Sequence, residues 1–207
     1  MKISGRVVVF GTAAVLATGA VAMQAPDTLW SGRDSTVSSA ASESAVTATV
    51  SLKVDISERQ LYVMRNGEVA ETYNVTVGTA KYPTPKGTFG VRRMIWNPKW
   101  VPPDADWAKD KKARGPGDPK NPMGKVKIFF KEPDYYLHGT LSTRELGTAA
   151  SHGCVRLSNA DITKLGRMLM EHGGAQVEPG FIRSVINRVR STREVRLQSP
   201  ITLQVVS

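Results

Sequence analysis

The fold class the sequence predicts is a mainly β domain with one or two short helices and one long irregular loop, on three grounds. Val50, Leu52 and Val54 alternate with Ser51, Lys53 and Asp55, the period of a half-buried strand. Asn66-Gly67 follows an apolar run, and because both residues tolerate positive φ it marks a tight hairpin. Helical periodicity is confined to two segments near the C-terminus, around Leu165 and Val185.

Residues 1–22 carry Lys2 and Arg6 ahead of an apolar run that closes on Ala20-Val21-Ala22, the pattern of a secretory signal peptide. Gly11, Thr12, Thr18 and Gly19 interrupt the run, which falls short of the ~20 apolar residues a membrane span prefers. Cleavage after Ala22 is therefore expected, with retention as a membrane anchor the alternative. Residues 23–46 are rich in Ser, Ala and Thr with few large apolar side chains. Such a segment cannot repay the entropy of ordering and reads as a disordered linker.

The folded domain then spans residues 47–207. Its first strand is the alternating run at Val50, Leu61 to Met64 gives a second, and a third follows the Asn66-Gly67 turn through Tyr73, Val75 and Val77, making an antiparallel meander. Pro83, Pro85 and Gly87 form a rigid turn before a strand from Thr88 to Arg92. Residues 97–123 are rich in Pro, Gly, Lys and Asp and hold Trp100 and Trp107, with Trp96 just ahead. A loop of that length is usually functional or disordered, and its aromatic and basic side chains suit either the wall of a cleft or a pin onto the sheet. Strands return at Lys125 to Phe130 and Tyr135 to His138, the latter ended by Gly139 and Thr140. Ser158 or Asn159 caps a helix with Ile162, Leu165, Met168 and Leu169 on one face, ending at Gly173-Gly174. A second amphipathic helix runs from Phe181 to Val189, and Val195 to Leu197 and Ile201 to Val206 are expected as two closing strands, with Pro200 at a turn or sheet edge.

The net charge of +10 points to an anionic neighbour: nucleic acid, a lipid surface or an acidic cell-wall polymer. With no zinc-finger spacing, no RNA-binding aromatic signature and no unbroken basic block, nucleic acid is not expected. Cys154 is the only cysteine, so no intramolecular disulfide can form.

The chemistry concentrates between His138 and Asn159, which hold Cys154 and two of the chain's three histidines. A thiolate attacks carbonyl carbon, and a nucleophilic cysteine needs a base, a positive environment and amide donors for the developing oxyanion. In Ser151-His152-Gly153-Cys154 the glycine permits a tight turn that points the N–H groups of Gly153 and Cys154 at one spot, the expected oxyanion hole. His138, delivered by the Tyr135-Tyr136-Leu137 run, is the expected base. With no obvious carboxylate partner in this segment, a backbone carbonyl such as that of Gly139 is expected to hold its second nitrogen. Arg156, two residues past the cysteine, suits either a grip on a substrate carboxylate or a structural salt bridge. His152 is expected to support the turn, and Ser151 and Asn159 to hydrogen-bond the turn and cap the helix. A metal site from His138, His152 and Cys154 fails on ligand count and spacing, so neither metal nor cofactor is expected.

The ordered set HGT, a short loop and SHGCVRLSN, preceded by the TPKGTF turn and by NPKWVPP and GPGDPKNPMG, closely resembles the YkuD-type L,D-transpeptidase catalytic domain over most of residues 48–160. The resemblance implies a β-sandwich with mixed sheets and a cleft under a long loop. It also implies an enzyme acting on peptidoglycan stem peptides in the periplasm or cell envelope, reaching the membrane only through an uncleaved leader. Cys154 would attack the L,D bond after diaminopimelate, release D-alanine and pass the acyl group to an amine on a second stem or an envelope protein. His138 would be the base, Gly139 its support, and Tyr136, Ser151, His152 and Arg156 would bind substrate or support the site. An L,D-carboxypeptidase, in which water resolves the thioester, and a non-catalytic wall-binding module are the alternatives.

Overall fold

The computed structural model describes residues 48–207. The predicted leader, the linker and the first residue of the predicted domain lie outside the described residues. Among the described residues ten strands and two α-helices form: β1 (Val50–Asp55), β2 (Gln60–Arg65), β3 (Glu68–Asn74), β4 (Val77–Gly78), β5 (Gly87–Trp96), β6 (Val126–Lys131), β7 (Tyr135–Thr140), β8 (Ala149–Ser151), β9 (Val155–Ser158), α1 (Asn159–His172), α2 (Phe181–Asn187) and β10 (Arg193–Val206). Eight of the strands make one mixed sheet in the order β3-β2-β1-β10-β5-β6-β7-β9, and β4 pairs with β8 in a small second sheet. The large sheet is antiparallel except at β1–β10 and β7–β9.

The hairpin between β2 and β3 turns on Asn66 and Gly67 with φ of 51° and 86°, the left-handed pair a two-residue turn requires. Alternation buries Leu52 and Val54 of β1, Leu61 and Val63 of β2, and Leu203 and Val205 of β10 in one core. α1 closes that core with Ile162, Leu165 and Leu169. Its N-terminus is capped reciprocally: Ser158 Oγ accepts from Asp161 N–H at 3.0 Å and donates to the Asp161 carboxylate at 2.6 Å. Among the described residues no helix is long and apolar enough to cross a membrane.

Four expectations are corrected. The third strand ends at Asn74, because Val75 to Thr79 leave β2 and run alongside residues on both sides of Cys154, touching β9 at Arg156 and the segment up to Ser151. Thr76 exchanges both main-chain hydrogen bonds with Arg156 at 2.9 Å, Val75 accepts from Gly147 N–H at 3.0 Å, and Thr79 N–H donates to Ser151 O at 3.1 Å. β7 continues through Gly139 and Thr140, which pair with Leu157 and Ser158 of β9. α2 stops at Asn187, two residues short of Val189; the buried Asn97, at φ 48°, donates to Val185 O there at 2.7 Å. The two closing strands are one 14-residue strand in the middle of the sheet. Pro200 is tolerated because Leu197 to Pro200 stand opposite Arg92 alone, in a bulge where no ladder N–H is required.

Candidate active site

Adjacent strands assemble the site on one face of the sheet. In β6, Val126, Ile128 and Phe130 turn into the core, so Lys127 and Phe129 turn the other way. The ladders then form two cross-strand rows, Arg93–Phe129–Tyr136 and Lys127–His138–Arg156. Cys154 stands one residue ahead of β9, beside Tyr136. Above this face lies a cavity of about 870 Å³ lined by Cys154, His138, Tyr136 and Lys127, with Trp100 and Trp107 contributed by the loop between β5 and β6. That loop is irregular apart from a 3₁₀ turn at Asp106–Ala108.

His138 is buried, and its Nδ1 lies 2.7 Å from Gly139 O. A carbonyl only accepts, so Nδ1 carries the hydrogen and Nε2 keeps its lone pair. Burial pushes the imidazole down to about 3; the Gly139 carbonyl opposes the fall, and the charges of Arg156 and Lys127 deepen it. His138 is therefore neutral at neutral pH, the form that takes up a proton. Burial also pushes the Cys154 thiol up, against the Tyr136 amide and hydroxyl and then the charges of Lys127 and Arg156, which favour the thiolate. The resting sulfur is a protonated thiol. It donates to Asp134 O at 3.4 Å, and among the described residues no hydrogen bond joins it to the imidazole. A proton held on sulfur needs an acceptor, and the Asp134 carbonyl supplies one.

The turn before the cysteine departs from one expectation. Gly153 has φ 105°, and a Cβ there would fall 2.8 Å from the Tyr135 ring and 3.3 Å from Pro83 O, so glycine is required. Its N–H, however, donates to Ser151 Oγ at 3.0 Å, while the Ser151 hydroxyl donates to Cys154 O at 2.6 Å. The serine closes the turn on itself and takes one of the two expected oxyanion donors.

Arg156 is engaged as well. Its guanidinium pairs with Glu145 at 2.7 Å and donates to Ala150 O, tying the segment between β7 and β9 to the strand that follows the cysteine. His152 is exposed and stacks flat against Trp107, with ring centres 3.9 Å apart at 15°, while Tyr82 tilts onto it at 4.8 Å. The histidine thus pins the cleft loop. Sequence reasoning missed Lys127, whose only signal was a charge at an alternate position of an apolar strand, and Glu145, whose pairing depends on a contact across the turn. Among the described residues no cluster of His, Cys, Asp and Glu could hold a metal ion.

The chain is similar in sequence and fold to proteins of known family. The probable L,D-transpeptidase ErfK/SrfK of Salmonella typhimurium is 34% identical over 120 residues, covering 54% of this chain and 38% of that protein. The L,D-transpeptidase-family protein YkuD of Bacillus subtilis is 28% identical over 137 residues, covering 66% of this chain and 65% of its own length. The chain thus spans less than two thirds of either relative. A solved structure of the Ldtfm–avibactam carbamoyl enzyme shares the fold at a TM-score of 0.50 and 16% identity, over 76% of this chain and 49% of that one. The family model of the L,D-transpeptidase catalytic domain, YkuD, matches residues 49–178, from the first strand through the cleft and Cys154 to the end of α1 and just beyond, and the chain belongs to that family.

Proposed function

We propose that this protein is a peptidoglycan L,D-transpeptidase with Cys154 as its nucleophile. The observation that carries the reading is the sole cysteine of a YkuD-family domain in a cleft with a neutral imidazole, whose Nδ1 is fastened to Gly139 O. His138 Nε2 takes the thiol proton as sulfur attacks the carbonyl carbon of the diaminopimelate–D-alanine bond. The carbonyl electrons move onto oxygen, where the Cys154 amide and the Tyr136 hydroxyl meet the charge. Collapse of this adduct breaks the C–N bond, and the imidazolium returns its proton to the departing D-alanine amine, leaving a thioester. An acceptor amine, on a second stem or an envelope protein, attacks the thioester, gives its proton to His138 and releases the sulfur, which regains a proton. Base catalysis of this kind is worth about 10²–10⁴-fold, and each oxyanion donor about 10²–10³.

The leader pattern supports action in the periplasm or cell envelope, and the net charge of +10 suits an anionic wall polymer. Incubation with a purified disaccharide tetrapeptide, followed by mass spectrometry, tests the reading. The expected product is a cross-linked dimer with D-alanine released, abolished in Cys154→Ala. A hydrolysed tripeptide alone identifies a carboxypeptidase, and unchanged substrate with a native fold identifies a binding module.

A further inference from the structure

A thiolate in this half-buried cleft position needs a counter-charge, and His138 is poorly placed to provide one. Forming an imidazolium there works against the burial that keeps it neutral and against two neighbouring cations. The other positive groups that line the cleft or share this face of the sheet differ in how free they are. Arg156 on β9 is paired with Glu145. Arg93 on β5 lies 3.9 Å over the Phe129 ring and is paired with Glu132 and Glu194. Lys111 and Lys120 are exposed on the cleft rim, where solvent and salt screen them.

Lys127 is half-buried and has no salt-bridge partner among the described residues. Its Nζ lies 3.9 Å from the centre of the Tyr136 ring and 4.6 Å from that of Phe129, and it stands directly across the β6–β7 ladder from His138. The two aromatic faces hold the ammonium without neutralising it. We propose that Lys127 is a positioning residue whose ammonium is the standing counter-charge of the Cys154 thiolate, so that His138 works as a neutral base. Burial lowers the lysine's own pKa, partly offset by the negative form of Cys154 and, more weakly, by Asp134 and Glu132. The Tyr136 phenol, raised chiefly by burial, stays protonated as a donor.

The inference rests on Cys154 being the reactive sulfur, and alkylation tests it without any transpeptidation. The second-order rate of Cys154 alkylation by iodoacetamide is followed against pH by mass spectrometry. Lys127→Met, which keeps an apolar stem over Tyr136, is expected to slow the reaction about tenfold at pH 7.5 and move the inflection upward by about one pH unit, while Lys127→Arg stays within about threefold of the parent protein. His138→Gln is expected to leave the inflection in place. A Lys127→Met profile that superimposes on the parent's, or an inflection that moves only in His138→Gln, overturns the proposal. If Lys127→Met fails to fold by near-ultraviolet circular dichroism, the unaltered protein still decides. Anionic iodoacetate is expected to gain on neutral iodoacetamide at Cys154 relative to free cysteine, and a loss overturns the proposal. Normal alkylation profiles with no tetrapeptide turnover would sink the transpeptidase reading and leave this one standing.

Discussion

Between pH 7 and pH 5, acid should destabilise this domain through His138. His138 is held near a pKa of about 3 in the folded chain against 6.5 when unfolded. Its folded value is depressed, so between those limits the unfolded chain binds more protons and stability falls as pH falls. With 1.36 kcal/mol for each pH unit below 6.5, the loss from this residue is about 2 kcal/mol at pH 5 and nearly nothing at pH 7. For a domain of this size that corresponds to roughly 4–8 °C in melting temperature. The assay is urea unfolding at pH 7 and pH 5 for the parent and for His138→Gln, whose amide does not titrate. The parent should lose about 2 kcal/mol more than the variant over that interval. Carboxylates and the exposed His152 titrate alike in both proteins and cancel in the difference. Parallel losses would mean that the imidazole protonates in the folded state, and the neutral-base account would be wrong. Ring-carbon chemical shifts of His138 followed by NMR provide a second reading, with no titration step expected between pH 7 and pH 5.

Gly153→Ala should lower stability by about 2–4 kcal/mol, from the positive φ and the contact with the Tyr135 ring, and is checked by denaturant titration. Arg156→Met and Glu145→Gln should show a coupling of about 0.5–1 kcal/mol in a double-mutant unfolding cycle, since Glu145 is partly solvated, with tetrapeptide KM changed less than about threefold. A tenfold rise in KM for Arg156→Met at unchanged stability would instead mark a grip on the substrate carboxylate. Trp107→Ala removes the stack on His152 and should weaken tetrapeptide binding about threefold to tenfold by calorimetry with Cys154→Ala protein, leaving the melting temperature nearly unchanged.

What the sequence disclosed was local. The alternation at Val50, the Asn66-Gly67 turn, the Ser158 cap and the glycine stop after His172 each depend on a few neighbouring residues, and each formed where those residues stand. The cysteine and the two histidines ahead of it stood out because their residue types and spacing are chemically unusual. Long-range pairings were hidden. Val75 and Val77 continue the alternation of a strand, and only the exchange of hydrogen bonds between Thr76 and Arg156 reveals that the chain has left β2 for the opposite edge of the sheet at β9. Pro200 suggested an edge because a single strand cannot show that its neighbours leave a bulge open. Gly153 was correctly read as a tight turn, yet the destination of its N–H depended on a serine rotamer. Lys127 gave no sign of its role until the pairing of β6 with β7 set Phe129 and Tyr136 beside it.

The most direct test of the central claim is the acyl-enzyme itself. The protein, mixed with tetrapeptide donor and quenched in acid within seconds, should gain the donor mass minus D-alanine, mapped by peptide sequencing to Cys154, and the adduct should vanish on adding an amine acceptor. A donor fully converted to product with no adduct at Cys154 at any quench time, or with an equal yield from Cys154→Ala, would contradict it.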